Sequence, residues 1–223
     1  MKNGSENFTE NFKIISIFHW VFALSVLLLL ASGFHISFPR VEADWPMSRT
    51  RLIHLVMSSV LVFSLIFRIY YSLVKRTYSN FIIRKKDFKT IIPLFKNFFF
   101  IKGEPRSLLP KYDIGQKFFF LSWALGVFLQ TITGLVMLTP GRFTFLVNLL
   151  RDLQTIRYFH FLIALWFLLS VSIHIYLTLT EDPLRVLALL TGKDLPAEKI
   201  RNSKPCLLIV FNKFKKIFKF NIR

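Results

Sequence analysis

Hydrophobic residues are concentrated in four long stretches of the chain, whereas most other apolar stretches are interrupted by Lys or Arg. Each of the four is long enough to cross about 30 Å of hydrocarbon as a helix, which takes about 20 residues. Three of them end at a helix-stopping proline, namely Pro39, Pro140 and Pro183. The pattern predicts four transmembrane helices, over residues 14–38, 52–74, 116–139 and 156–180.

Basic residues are distributed unequally among the connecting segments. Residues 75–117 contain 11 Lys and Arg and 10 more follow Pro183, whereas residues 39–51 and 140–157 contain three each. Because Lys and Arg are enriched in cytoplasmic loops, both termini and the middle loop are predicted to be cytoplasmic and the two short loops external. We therefore expect a multi-pass protein of a bacterial or archaeal cytoplasmic membrane.

The basic segments also carry apolar residues of their own. Residues 81–102 and 204–223 mix Phe and Ile with Lys, which is typical of segments that lie on an anionic lipid leaflet. A solvated tail and a docking surface for a cytoplasmic partner are the alternatives. The chain is predicted to comprise a transmembrane domain over 1–182, including a basic loop at 75–115, and a basic tail over 183–223.

Composition narrows the class of protein and of metal centre. The 223 residues are 53% hydrophobic and carry a net charge of +18, which argues against a soluble domain and against a nucleic-acid-binding protein. The single Cys206 excludes an intrachain disulfide, a Cys-ligated iron–sulfur cluster and a CxxCH haem attachment. Any metal centre must then use histidine. We expect no cleavable signal peptide, because the first hydrophobic stretch is too long.

All five histidines lie within or at the edge of a hydrophobic stretch: His19, His35, His54, His160 and His174. An ionisable residue inside a membrane is costly, so it is a functional-site candidate by default. His160 and His174 are 14 residues apart in one predicted helix. At about 100° and about 1.5 Å per residue, their rings project from one face, roughly 21 Å apart. One helix can thus contribute to two cofactor sites at different depths.

The predicted orientation sorts four histidines into two pairs by depth. His54 and His160 lie near the outer ends of their helices, and His19 and His174 lie near the inner ends. Each pair comes from two helices and can bind one haem b iron axially. The predicted fold is an all-α membrane protein, a four-transmembrane-helix bundle holding two b-type haems. The structural alternative is a buried histidine that only hydrogen-bonds a neighbouring helix.

Three arginines are candidates to bind haem propionates. Arg51 precedes His54 by three residues, Arg157 precedes His160 by three, and Arg68 follows His54 by 14. Each is therefore on the same face as a predicted ligand. The alternative is that these side chains extend from the helix ends toward water.

His35 and three glycines have several interpretations. His35 is rotated about 160° from His19 around the helix. It is an interfacial hydrogen-bonding residue, a contact to a partner subunit or an alternative outer ligand. Gly33, Gly126 and Gly134 could admit a flat macrocycle or let helices approach closely.

Several of these residues also match a known family pattern. They are His19-Trp20, Ser32-Gly33, Pro39, His54, the segment 111–117 (KYDIGQK), Thr133-Gly134, Pro140, His160, the segment 174–176 and the segment 187–192. With this set, residues 13–195 resemble the cytochrome b (gamma) subunit of membrane-bound formate dehydrogenases. That group is related to the cytochrome b subunits of nickel–iron hydrogenases and thiosulfate reductases.

The resemblance implies a membrane anchor with two haem b groups. Electrons would pass from an iron–sulfur subunit at the outer face to menaquinone or ubiquinone near the cytoplasmic side. A further catalytic subunit, carrying molybdopterin or nickel–iron, would hold the substrate. In the family, the counterparts of His174 and of an Asn-x-Gly-Gln segment border the quinone, which here implies Asp113, Gly115 and Gln116. Asp113 replaces the usual Asn, and it either relays a proton or caps the third helix.

The hypothesis is therefore an electron-transfer subunit without catalytic residues of its own, most directly that of a formate dehydrogenase. A hydrogenase, a thiosulfate reductase or another molybdopterin enzyme could use the same anchor. A haem-free structural anchor and a transporter are alternatives of a different class. The helices show neither paired acidic residues at the midplane nor an internal repeat, which argues against a transporter. The expected partners include anionic lipids but no nucleic acid.

Overall fold

The computed structural model describes residues 12–39, 45–78, 82–90, 114–181 and 183–191. The long helices are α1 (Phe12–Ser37), α2 (Met47–Val74), α3 (Ile114–Leu138) and α5 (Leu153–Glu181). The shorter ones are α4 (Thr144–Leu149), α6 (Pro183–Thr191) and the 3₁₀ helices Lys85–Thr90 and Pro140–Arg142. These residues contain no β-strand, so the predicted all-α fold is confirmed.

The four long helices have the length and apolarity needed to cross a membrane, as predicted. Large apolar side chains such as Leu24, Phe63, Leu121 and Leu162 are exposed on the outside of the bundle, where lipid would cover them. The helices extend beyond the hydrophobic stretches. For example, α2 begins at Met47, because helical hydrogen bonding continues past the hydrocarbon region and hydropathy marks only the apolar part.

The long helices form two hairpins, in which α1 packs along α2 and α3 packs along α5. We call the end where α1 and α3 end and where α2 and α5 begin the short-loop end. The opposite end, where α2 ends and α3 begins and where α6 lies, is the long-loop end. Contacts between α2 and α3 and between α1 and α5 join the two hairpins.

The centre of the bundle is an apolar cluster with one buried residue from each long helix. Its members are Val26, Leu61, Val127 and Phe167. The Phe167 ring fits against Gly126, where an added Cβ would lie only 2.9 Å from Cε2 of that ring. This cluster separates the polar groups at the two ends of the bundle.

Two outlying segments, α6 and the 3₁₀ helix Lys85–Thr90, are attached to the long-loop end. The hydroxyl of Ser16 and the indole N–H of Trp20, both on α1, donate to the carbonyl of Leu189 in α6. In the 3₁₀ helix Lys85–Thr90, the carboxylate of Asp87 lies 2.7 Å from Nζ of Lys117 at the start of α3. Both side chains of this ion pair are buried.

At the opposite end, a carboxylate caps α5. The backbone N–H of Thr155 donates to Oδ1 of Asp152 at 2.6 Å. That hydrogen bond holds the pKa of the exposed Asp152 carboxyl below its ordinary value. The cap accounts for the start of α5 at Leu153, three residues before the predicted hydrophobic span.

Candidate functional site

Two histidine rings face each other near the short-loop end. His54 on α2 and His160 on α5 have ring centroids 6.3 Å apart and an interplanar angle of 53°. Nδ1 of His54 lies 2.9 Å from the hydroxyl oxygen of Ser32 on α1. Nδ1 of His160 lies 2.8 Å from the hydroxyl oxygen of Thr133 on α3. Each hairpin therefore contributes one ring and one hydroxyl that holds it.

The hydroxyl groups are placed to accept a hydrogen bond from Nδ1 of each ring. A hydroxyl has only one proton to donate, and that of Ser32 is directed to the carbonyl of Leu28 at 2.7 Å. Its oxygen is then placed to accept a hydrogen bond from Nδ1 of His54, in the tautomer in which Nε2 presents its lone pair to a metal. The same reasoning applies to Thr133, whose hydroxyl donates to the carbonyl of Leu129 at 2.8 Å.

Glycines let these rings approach the neighbouring backbone closely. Gly33 follows Ser32, and an added Cβ there would lie 3.3 Å from Cε1 of His54. Gly134 follows Thr133, and an added Cβ would lie 3.7 Å from Cε1 of His160. An alanine at Gly33 would press on the His54 ring, whereas its Cβ at Gly134 would make an ordinary van der Waals contact with His160.

A second pair of rings lies near the long-loop end. His19 on α1 and His174 on α5 have centroids 6.3 Å apart and an interplanar angle of 47°. His19 packs against the Trp20 ring, and His174 packs at right angles to the Trp123 ring, with centroids 5.4 Å apart. Nδ1 of His19 is buried and has no hydrogen-bond partner among the described residues. This pair is therefore held by aromatic packing rather than by hydroxyl groups.

The spacing of both pairs fits a metal held between two imidazoles. Metal–imidazole bonds are about 2.0 Å long, so two of them in line place the ring centroids roughly 6 Å apart. Each pair matches this spacing at 6.3 Å. A haem iron needs only two protein ligands, because the macrocycle supplies the equatorial ones. Among the described residues, no group of three or more His, Cys, Asp or Glu side chains lies together.

Comparison with known proteins gives the family. Residues 13–192 match the model of the prokaryotic cytochrome b561 family, which covers most of the chain. The chain belongs to the prokaryotic cytochrome b561 family. As a b-type cytochrome it takes haem b.

Several relatives of this cytochrome carry the name "Probable Ni/Fe-hydrogenase B-type cytochrome subunit". That of Azotobacter vinelandii is 23% identical over 189 residues, covering 75% of this chain and 78% of the relative. That of Rhizobium leguminosarum bv. viciae is 24% identical over 189 residues, covering 75% and 79%. That of Rhodobacter capsulatus is 23% identical over 190 residues, covering 75% and 72%. No solved structure matches the chain.

The candidate propionate-binding arginines of the cytochrome lie in different surroundings. Arg51 and Arg157 are exposed, each one helical turn closer to the short-loop end than the neighbouring histidine. The guanidinium of Arg157 donates to Gln154 at 3.4 Å. Arg68 is half-buried, with its guanidinium carbon 6.0 Å from the centroid of the Tyr71 ring.

The candidate quinone residues lie at the long-loop end of the cytochrome. Gly115 and Gln116 are half-buried in the first turn of α3. Asp113 lies outside the described residues. His174, the fourth member of the predicted set, lies at the same end of α5. His35 is half-buried near the opposite end of α1.

Sequence reasoning assigned no role in the site to Trp123, to Asp87 or to the hydroxyls of Ser32 and Thr133. The hydroxyls come immediately before glycines on the helices that face His54 and His160, so a hydroxyl–glycine pair was an available signal. The sequence offered no such signal for Trp123, because aromatic residues are common in membrane helices.

Proposed function

We propose that this cytochrome is a di-haem electron carrier, the membrane subunit of a respiratory oxidoreductase that exchanges electrons with the quinone pool. The supporting observation is the presence of two histidine pairs with the same 6.3 Å spacing, one near each end of the bundle. Two carriers at different depths are required for an electron to cross the bilayer, since a single site would leave most of the hydrophobic thickness uncrossed.

The residues of the bundle hold and separate the two sites. His54 and His160 would hold one haem, and His19 and His174 the other. When bound, each haem supplies a reversible one-electron centre. The cluster around Phe167 lies midway between the sites and keeps water out of the path. The guanidinium groups of Arg51 and Arg157 would pair with propionates at the short-loop end.

Quinone reduction is proposed at the long-loop end. A quinone takes up two electrons and two protons to become a quinol, so its site needs an electron donor and access to water. Gly115, Gln116 and His174 lie at this end, which the basic residues indicate to be cytoplasmic. Asp113 would supply a proton there, as its carboxyl group allows.

The proposed electron donor is a catalytic complex of the nickel–iron hydrogenase type, docked through an iron–sulfur subunit at the short-loop end. Its support is the hydrogenase name that the relatives carry. Formate dehydrogenase is the second candidate, favoured by the segment 111–117 (KYDIGQK). Either donor would release protons outside while quinone takes up protons inside. Each inward electron would then conserve about 2.3 kcal/mol per 100 mV.

Haem content tests the di-haem proposal. We expect two haem b per chain in the purified protein, measured by pyridine haemochrome and by the dithionite-reduced minus oxidised spectrum. His54→Ala and His19→Ala should each retain one haem, and the double variant none, because each removes one axial ligand. His35→Ala is the matched control and should retain both. One haem or none in the unaltered protein would exclude the proposal.

The electron donor is identified by substrate addition to anaerobic membranes that contain the whole complex. Reduction of the cytochrome by H₂ but not by formate would support a hydrogenase partner. The reverse result would support a formate dehydrogenase. An inhibitor that blocks quinone reduction should leave the haems more reduced under either donor.

A further inference from the structure

The two histidine pairs differ in what their Nδ1 atoms contact. At the short-loop end, Nδ1 of His54 and Nδ1 of His160 each lie within hydrogen-bonding distance of a hydroxyl oxygen, that of Ser32 and that of Thr133. Each hydroxyl in turn donates to a helix carbonyl, so its oxygen is polarised and is a better acceptor. Both rings of this pair therefore have an acceptor behind them.

The long-loop-end pair lacks such acceptors in the part of the chain that the structure describes. Nδ1 of His19 is buried and unpaired. His174 meets the ring of Trp123, whose own N–H donates to the hydroxyl of Ser170 at 2.8 Å. The two pairs are alike in spacing and unlike in hydrogen bonding.

Hydrogen bonding at Nδ1 changes the strength of the ligand at Nε2. An acceptor draws the Nδ1 proton and makes the imidazole more basic and more electron-donating toward the metal. A more electron-donating ligand stabilises the oxidised iron, so the reduction potential falls. Ligand hydrogen bonding is thus a means of giving different potentials to two otherwise similar bis-imidazole sites.

We propose that the hydroxyls of Ser32 and Thr133 lower the reduction potential of the short-loop-end haem below that of the long-loop-end haem. This inference rests on the proposed di-haem function. One electron then passes downhill from the short-loop-end site to the long-loop-end site, with no proton transferred between them. The hydrogen-bond pattern thereby favours electron delivery toward the candidate quinone residues.

Nearby charge would act in the opposite direction, since a cation raises a reduction potential. The guanidinium groups of Arg51 and Arg157 are exposed, where water and salt screen their charges. Pairing with propionates would neutralise them further. The hydroxyls act on half-buried rings at 2.9 and 2.8 Å, with no solvent between donor and acceptor.

The test is a spectroelectrochemical titration of the purified, haem-loaded protein and of the double variant Ser32→Ala/Thr133→Val. In the double variant, we expect the midpoint potential of the short-loop-end haem to rise and that of the long-loop-end haem to stay unchanged. The expected change is on the order of tenfold in the oxidised-to-reduced equilibrium, which is ~59 mV for a one-electron couple. Single-haem variants His54→Ala and His19→Ala assign each component to its site.

The chain offers a matched control in Ser25 and Thr131. Each hydroxyl donates to a carbonyl four residues earlier in its own helix, as Ser32 and Thr133 do, but neither forms a hydrogen bond to a histidine among the described residues. Ser25→Ala/Thr131→Val should therefore titrate like the unaltered protein. Ser32→Thr and Thr133→Ser keep a hydroxyl and should restore the low potential.

Each outcome bears on the proposal. It is overturned if the double variant keeps two haems and titrates unchanged, or if the long-loop-end component moves instead. If the double variant loses haem, the single variants Ser32→Ala and Thr133→Val should each give part of the shift. Independently, the unaltered protein must show the lower potential at the short-loop-end site, and the reverse order excludes the proposal. If the proposed di-haem function is itself wrong, the unaltered protein will contain fewer than two haems, which the haem measurement detects separately.

Discussion

At the scale of single residues, Trp123 organises the long-loop end of the bundle. Its ring meets His174 edge-on and stacks on Phe22 of α1, with centroids 6.2 Å apart. Its indole N–H donates to Ser170, which is fully buried on α5. One side chain of α3 thus contacts both α1 and α5 beside the candidate ligand His174, and fixes the orientation of that ring.

The substitution Trp123→Phe tests this role. It removes one hydrogen bond, worth about 0.5–1.5 kcal/mol, and part of the surface against which His174 packs. We expect the long-loop-end haem to be released at a lower temperature, measured from its absorbance during heating, while the other haem is unaffected. Trp166→Phe is the control, because Trp166 contacts Phe118 and Phe119 rather than a histidine. Equal effects of the two substitutions would contradict the assigned role.

The histidines show how far single residues can be interpreted without a structure. Their position along each hydrophobic stretch predicts depth, because an α-helix advances by a constant rise per residue. The hydroxyl partners of His54 and His160 were not predictable, since they depend on which residues of another helix lie within hydrogen-bonding distance. Ser32 and His54 are 22 residues apart, and Thr133 and His160 are 27 apart.

At the scale of elements, the contact between α3 and α5 depends on Gly126. An added Cβ would lie 2.9 Å from Cε2 and 3.0 Å from Cζ of Phe167, closer than side chains pack. The Phe167 ring is confined by the central cluster and has little room to move. Either the Phe167 ring or one of the two helices must shift if position 126 carries a side chain.

Gly126→Ala is therefore expected to destabilise the bundle by about 1–3 kcal/mol, the usual cost of overpacking a core. The measurement is the unfolding midpoint in detergent, followed by circular dichroism as SDS is added. Gly141→Ala is the control, because an added Cβ at Gly141 meets nothing within 4 Å. If Gly126→Ala and Gly141→Ala unfold at the same SDS concentration, the contact between Gly126 and Phe167 does not limit how closely α3 and α5 pack.

At the scale of the whole molecule, one buried ion pair joins the loop between the hairpins to the bundle. Nζ of Lys117 lies 2.7 Å from the carboxylate of Asp87 and donates to the carbonyl of Ile82 at 3.4 Å. The backbone N–H of Arg84 donates to the same carboxylate at 2.8 Å. The pair holds residues 82–90 against the first turn of α3, next to Gln116.

Removing one partner leaves the other charge buried and unpaired, so Lys117→Met should cost about 3–5 kcal/mol. The expected result is a lower unfolding midpoint and faster tryptic cleavage near residues 82–90. Asp87→Leu added to Lys117→Met should recover much of the loss, because no charge is then buried alone. Lys85→Met removes an exposed lysine from the same 3₁₀ helix and should have little effect. No recovery in the double variant would show that the pair acts through more than its charge.

The sequence alone determined the number of membrane-spanning helices and the depth of each histidine. Hydropathy and helical rise are local properties that act within one stretch of chain. Only the tertiary structure decided that Ser32 and Thr133 hold the rings of His54 and His160, that Trp123 lies beside His174, and that Asp87 pairs with Lys117. Those contacts join residues far apart in the chain, and they depend on which faces of the helices pack together.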